Sequence, residues 1–219
     1  MIFADRDAAG RALAKQVAEK LPGEASGRPL VLALPRGGVP VAVPVAERIG
    51  GDLDVVIARK IGAPGRPEYG VGAIAEDGPP VFDAEALAFL GMGEESFADA
   101  IERERAELRR RVRRYRGDRP SPAVTDRDVV LIDDGLATGV TARAALRWLR
   151  GQRPHRLILA VPVCSRRACD ALSADADAVV SLHAPAHFQA VGQWYTDFRQ
   201  LTDDDVVRAL AEIHRPTHS

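Results

Sequence analysis

Short unbroken apolar runs alternate along the chain with stretches in which apolar positions recur every three or four residues. The runs at 30–34, 54–58, 129–132, 157–163 and 178–182 leave almost no polar face, the pattern of strands covered on both sides in a parallel sheet. The connecting stretches 39–49, 141–150 and 165–173 are long enough for crossover helices. Right-handed crossovers then give an α/β fold, a doubly wound parallel sheet whose ligand sites lie beyond the strand C-termini. Pro44 falls inside the first of these helices and predicts that it starts late or kinks there. Ahead of the sheet, Leu13, Val17 and Leu21 repeat at helical spacing behind a cap placed at Asp7.

The middle third breaks the rhythm. Residues 61–80 are rich in Gly and Pro and predict a long mobile loop. Helices are predicted over 83–90 and 94–116, the second crowded with Glu and Arg from Glu102 to Arg116. Opposite charges at helical spacing make a solvated face, and the arginine-rich end offers RNA binding as the alternative. Residues 117–122 end that helix and return the chain to the sheet. The expected organisation is a single domain over 1–219. Its core spans about 28–60 and 120–182, a loop and helical insertion span about 61–119, and a small hood combines the N-terminal segment with about 183–219.

Composition sharpens this picture in two respects. With 219 residues, 46% of them hydrophobic, the chain can bury one substantial core. Thirty Lys and Arg against 31 Asp and Glu leave a formal net charge of −1, so no global field favours nucleic acid or an anionic membrane, and a polyanion site has to be local. No apolar stretch approaches a bilayer span, and residues 1–7 carry acids where a signal peptide needs a basic start, so a cytoplasmic location is expected. Cys164 and Cys169 lie five apart, match no redox or zinc spacing, and are expected to be inert thiols. Pro185 between His183 and His187 argues against a helical metal pair.

The most informative segment is Val129-Val130-Leu131-Ile132-Asp133-Asp134-Gly135-Leu136-Ala137-Thr138-Gly139-Val140-Thr141. A buried strand would fix two carboxylates at its C-terminal end, where Asp133 and Asp134 can accept hydrogen bonds from vicinal hydroxyls or share magnesium. Gly135, Thr138 and Gly139 let the backbone curl, so that amides and the hydroxyls of Thr138 and Thr141 surround an anion at a helix N-terminus. This segment resembles the signature with which type I phosphoribosyltransferases bind 5-phosphoribosyl-1-pyrophosphate (PRPP), most closely that of adenine phosphoribosyltransferases. Ala137 departs from many purine members, which have an acid there, so no purine contact carries over to it. The resemblance covers roughly 30–60 and 129–197 and leaves the helical insertion outside. The chain also resembles stand-alone bacterial phosphoribosyltransferases of unassigned acceptor, through Phe3 with Asp5-Arg6, Pro35-Arg36-Gly37-Gly38, Ala58-Arg59-Lys60, Gly72-Ala73-Ile74-Ala75-Glu76 and Gln193-Trp194-Tyr195-Thr196-Asp197-Phe198.

The resemblance implies further parts. Arg36, Gly37 and Gly38 after the first strand resemble the pyrophosphate loop, where an arginine fork meets a pyrophosphate oxygen and glycine amides approach closely. Arg59 and Lys60, read as the end of the second strand, match further pyrophosphate contacts by position. Residues 61–80, with Glu68, Tyr69, Glu76 and Asp77, fit the family's closing loop. Phe188, Trp194 and Tyr195 are the candidates for stacking on a base, with an aromatic cluster closing the core as the alternative. The implied reaction moves phosphoribose from PRPP, with Mg2+, to a nitrogen nucleophile and releases pyrophosphate. Arg36 stabilises the leaving group, Asp133 and Asp134 orient the ribose hydroxyls, and the 135–141 loop anchors the 5-phosphate. The partners expected are PRPP, a small nitrogenous acceptor and, from the family's habit, a second copy in a homodimer. The competing reading is a PRPP-sensing regulator that binds RNA through the arginine-rich helix. A P-loop hydrolase is excluded because Val140 stands where its lysine is needed.

Overall fold

In the computed structural model, residues 1–21 and 27–213 are described. Five parallel strands form the central sheet in the order β2-β1-β6-β7-β8: β1 (Leu30–Ala33), β2 (Asp52–Val55), β6 (Asp128–Ile132), β7 (Arg156–Val163) and β8 (Ala178–His183). These are the predicted runs within one to three residues. The connecting helices are α2 (Gly38–Ile49), α5 (Val140–Gly151) and α6 (Arg166–Leu172). Because successive side chains of a strand point to opposite faces, Val31, Ala33, Val130 and Ile132 share one core with α1 (Arg6–Lys20) and α2. Leu30, Leu32, Val129 and Leu131 share the other with α5 and α6. Both faces are covered, which gives the expected doubly wound α/β arrangement.

Three expectations change at the element scale. The cap of α1 is Asp5, not Asp7: its carboxylate accepts the Ala8 N–H at 2.8 Å. Pro44 neither delays nor ends α2, which continues around it to Ile49; a Cβ on Gly10 of α1 would meet the Pro44 ring at 2.6 Å, so that glycine makes room for the buried proline. The third change is the largest. Residues 61–80 are not an irregular loop but most of an antiparallel sheet, β3 (Ala58–Ala63), β4 (Arg66–Ala75) and β5 (Val81–Phe82). Val71, Ala73, Ile74 and Ala75 are buried in it. Its glycines serve close packing as well as turning: Gly65 sits at φ +71° in the hairpin turn, while a Cβ on Gly72 would meet the Val81 carbonyl at 2.6 Å. Arg59 and Lys60 accordingly open the hairpin rather than end β2.

After the hairpin come α3 (Ala84–Leu90), a single 3-10 turn, and the long α4 (Ala98–Arg116). Arg116, at the end of α4, is 3% exposed and donates to both Glu76 oxygens, at 3.0 and 2.9 Å, and to the Val55 carbonyl at 2.7 Å. Glu76, read from sequence as a residue of the closing loop, is therefore a buried tie between hairpin, helix and β2. The final helix is α7 (Asp203–Ile213). Cys164 and Cys169 are joined in a disulfide across the turn into α6 instead of remaining thiols. Among the described residues no helix is long and apolar enough to cross a membrane.

Candidate active site

Strand β6 is buried along its whole length and delivers Asp133 and Asp134 at its C-terminal end. Asp133 accepts the Asp134 N–H at 2.8 Å. Asp134 Oδ2 accepts from Arg6 Nε at 2.8 Å, with the two side chains only 13% and 11% exposed. The Arg6 guanidinium also donates to the Arg199 carbonyl at 3.0 Å and lies 3.9 Å over the Phe198 ring. Burial, followed by the Asp134 charge, pushes the Asp133 carboxyl well above its ordinary range. Burial also raises Asp134, with Arg6 opposing it. Two adjacent carboxylates balanced by one guanidinium leave uncompensated negative charge, and a hard divalent cation is a fitting counterpart for such an oxygen set.

The chain then curls tightly into α5. Leu136 N–H donates to the Val163 carbonyl at 3.0 Å, Ser165 N–H to the Leu136 carbonyl at 2.8 Å, and Ser165 Oγ to the Ala137 carbonyl at 2.6 Å. A Cβ on Gly135 would meet Val191 at 2.5 Å, so this position has no space for a side chain. Gly139 caps α5 at φ +73°. Ala137 and Thr138 are exposed while Val140 and Thr141 are half-buried, and the opening amides of α5 have no intrahelical partner. The resulting cradle, Gly135 to Thr141, can surround a phosphate with amides and hydroxyls.

The loop after β1 meets this bend directly. Leu34 N–H donates to the Ile132 carbonyl at 2.8 Å. A Cβ on Gly38 would lie 2.6 Å from that same carbonyl, and one on Gly37 would overlap the Asp134 carboxylate. The two predicted anion loops are thus in contact through glycines. Arg36 is placed less simply: its guanidinium faces Asp203 of α7 at 3.7 Å.

Beside the loops opens a cleft of about 670 Å³ whose walls include Pro35, Arg59, Lys60, Glu68, Arg103, Glu104, Arg111 and Thr141. Arg59 is held by Glu104 at 2.8 Å, whereas Lys60 reaches toward Asp133 electrostatically. The aromatic candidates lie elsewhere. Tyr195 is 6% exposed, stacks on Phe198 and donates its hydroxyl to the Asp134 carbonyl at 2.5 Å. It is a strut beneath the acids and has no open face for a base, which corrects its assignment as a stacking residue. Trp194 packs against Phe188 and edge-on to His183 in the cluster that closes the hood. The N-terminal segment joins this hood, with Phe3 N–H donating to Trp194 and Thr196 N–H to Phe3, both at 2.8 Å.

Residues 4–197 match the phosphoribosyl transferase domain family. The chain belongs to that family. A Mycobacterium tuberculosis protein provisionally described as a phosphoribosyl transferase, found in strains CDC 1551 and H37Rv, is 43% identical over 215 residues, 98% of this chain and 47% of the relative. The chain therefore spans about half the length of the curated relatives it matches. The crystal structure of TT1426 from Thermus thermophilus is 47% identical, with a TM-score of 0.80 over 97% of this chain and 99% of that one. In this member of the family the twin acids, the bend that follows them and the glycine loop lie in contact. Arg6, Arg103 and Arg111 were not among the predicted site residues. Arg6 stood within a resembling motif without a chemical reason attached, and the two α4 arginines belonged to what read as a solvated face.

Proposed function

We propose that the chain transfers the 5-phosphoribosyl group of PRPP to a nitrogen nucleophile, a nucleobase being the acceptor class the resemblance favours, and releases pyrophosphate. The contact between the glycine loop and the Asp133-Asp134-to-cradle bend supports this reading, because two anion sites there would flank the paired carboxylates. The cradle would hold the 5-phosphate remotely, and that binding would position the anomeric carbon. Asp133 and Asp134 would accept hydrogen bonds from the ribose hydroxyls and hold magnesium. The metal, when bound, supplies positive charge for the leaving pyrophosphate. Lys60, Arg59 and the amide of Gly37 would stabilise the same charge as the bond to the anomeric carbon breaks. Arg36 can join them only by turning away from Asp203.

The RNA-binding alternative draws less support from α4. Arg116 is buried, Arg110 and Arg111 pair with Glu107, and Arg114 pairs with Asp204. The remaining outward stripe is short. Pyrophosphate release from PRPP should be measured against a panel of bases, with Asp133→Asn plus Asp134→Asn as control. Magnesium-dependent turnover with at least one acceptor, lost in the control, is expected. Tight PRPP binding without turnover on any acceptor would favour the sensor reading.

A further inference from the structure

We infer that α4, the helical insertion, is part of the substrate site, and that Arg103 and Arg111 on its cleft-facing side grip the pyrophosphate of PRPP. This rests on the PRPP reading above and deepens it.

The helix is locked in place as a wall of the cleft. At one end the Arg59–Glu104 pair, at 2.8 Å, ties it to the first strand of the hairpin. At the other, Arg116 is buried against Glu76 and Val55. Arg103, next to the first anchor, and Arg111, between the two, line the same cleft as Pro35, Lys60 and Thr141. The cations therefore share about 670 Å³ of space with Pro35, just past β1, and Thr141, in the first turn of α5.

A solvated helix face leaves its arginines paired with acids of the same helix, as Arg110 is with Glu107. Arg103 differs. Among the described residues neither its side chain nor that of Lys60 makes a hydrogen bond or ion pair, although both line the cleft. Arg111 gives its Nε to Glu107 at 2.8 Å, and a guanidinium retains further N–H donors after one such bond. Arg36 faces Asp203 at 3.7 Å, and the same carboxylate accepts the Tyr115 hydroxyl of α4 at 2.6 Å, so the arginine of the glycine loop lies beside this helix. Of the two carboxylates in the wall, Glu104 is occupied by Arg59. Like charges gathered at one cleft repel unless a polyanion fills it. Pyrophosphate is the most highly charged part of PRPP, and the glycine loop beside Pro35 lies at this end of the site.

Titration calorimetry with magnesium pyrophosphate, and separately with ribose 5-phosphate, tests this. Arg103→Ala removes no ion pair of the fold and should weaken pyrophosphate about tenfold, the effect of one charge-assisted contact, with ribose 5-phosphate unchanged. Arg103→Lys should recover part of the loss, and Arg111→Gln, whose amide can still meet Glu107, should weaken pyrophosphate similarly. Arg109→Ala, an exposed arginine that does not line this cleft, should bind as the parent does. Unaltered pyrophosphate affinity in Arg103→Ala and Arg111→Gln, or a loss confined to ribose 5-phosphate, overturns the assignment and leaves the PRPP reading standing. A parent protein that binds neither PRPP nor pyrophosphate overturns both.

Discussion

Gly37 is the position where one added methyl group has the most specific consequence. Its Cβ would occupy the space of the Asp134 carboxylate, so Gly37→Ala must displace either the glycine loop or the acid. Overpacking of this kind costs about 1–3 kcal/mol, and here the distortion falls on groups assigned to substrate. We predict a loss of PRPP affinity of tenfold or more, read by calorimetry, with a melting temperature lowered by only a few degrees. Arg6 acts from the other side of the same carboxylate. Arg6→Ala would leave Asp134 buried without its partner, a change worth about 3 kcal/mol. Thermal denaturation should show that loss, and Arg6→Lys should restore only part of it because a lysine cannot both pair with Asp134 and lie flat over Phe198. The twin acids and the small residues after them were legible in the sequence because their arrangement is local, set within thirteen consecutive residues. Arg6 was not, since its partner lies 128 positions away and no spacing rule connects them.

At the scale of elements, the hairpin shows how composition misleads. Gly and Pro density reads as irregular chain, yet Gly72 is where two strands approach too closely for a side chain and Pro64 and Gly65 make the turn. The signal that favoured strands was the apolar run Val71, Ala73, Ile74 and Ala75, interrupted only by the glycine. Helix α4 was located correctly, and its charge pattern was read as solvent-facing. Part of that face is an internal latch instead. Tyr115 donates its hydroxyl to Asp203 at 2.6 Å, and Arg110 meets the same carboxylate at 3.2 Å. Burial alone would raise Asp203, but these two donors hold it below the ordinary carboxylate range. On α4 itself the hydrogen bond from Arg110, aided by Arg111 against the cost of burial, brings Glu107 from 4.5 down to about 2. A carboxyl depressed in the folded state contributes stability that is present above its unfolded value and is lost as pH falls through the folded one. The melting temperature should therefore drop between pH 4.5 and about 2, and Glu107→Gln should be less stable at neutral pH with a shallower acid limb. An unchanged acid limb in that variant would contradict the pairing of Glu107 with Arg110 and Arg111. Arg116→Ala, which strands the buried Glu76 carboxylate, should cost about 3–5 kcal/mol in chemical denaturation.

For the whole molecule, the five parallel strands and the doubly wound architecture followed from apolar runs and crossover lengths, with strand ends off by a few residues, whereas the second sheet of β3 to β5 did not. What the pattern could not express was convergence. Residues 3–6 pair with 194–199 to close the hood, and that hood braces Asp134 from behind through Arg6 and Tyr195. Segments nearly 200 positions apart thus support the centre of the site, and deleting residues 1–6 should lower PRPP affinity as well as stability. A ligand bound only by the native fold stabilises it by mass action, about 2.7 kcal/mol at a hundredfold excess over Kd. PRPP with magnesium should accordingly raise the melting temperature of the intact chain and raise it less in the truncated one.

The central claim is that the bend from β6 into α5 holds a phosphorylated ribose. Crystals soaked with PRPP and magnesium test it most directly. The account predicts density for the 5-phosphate within the Thr138 to Thr141 cradle and for the ribose hydroxyls against Asp133 and Asp134. An empty bend in crystals that bind the compound elsewhere would contradict it.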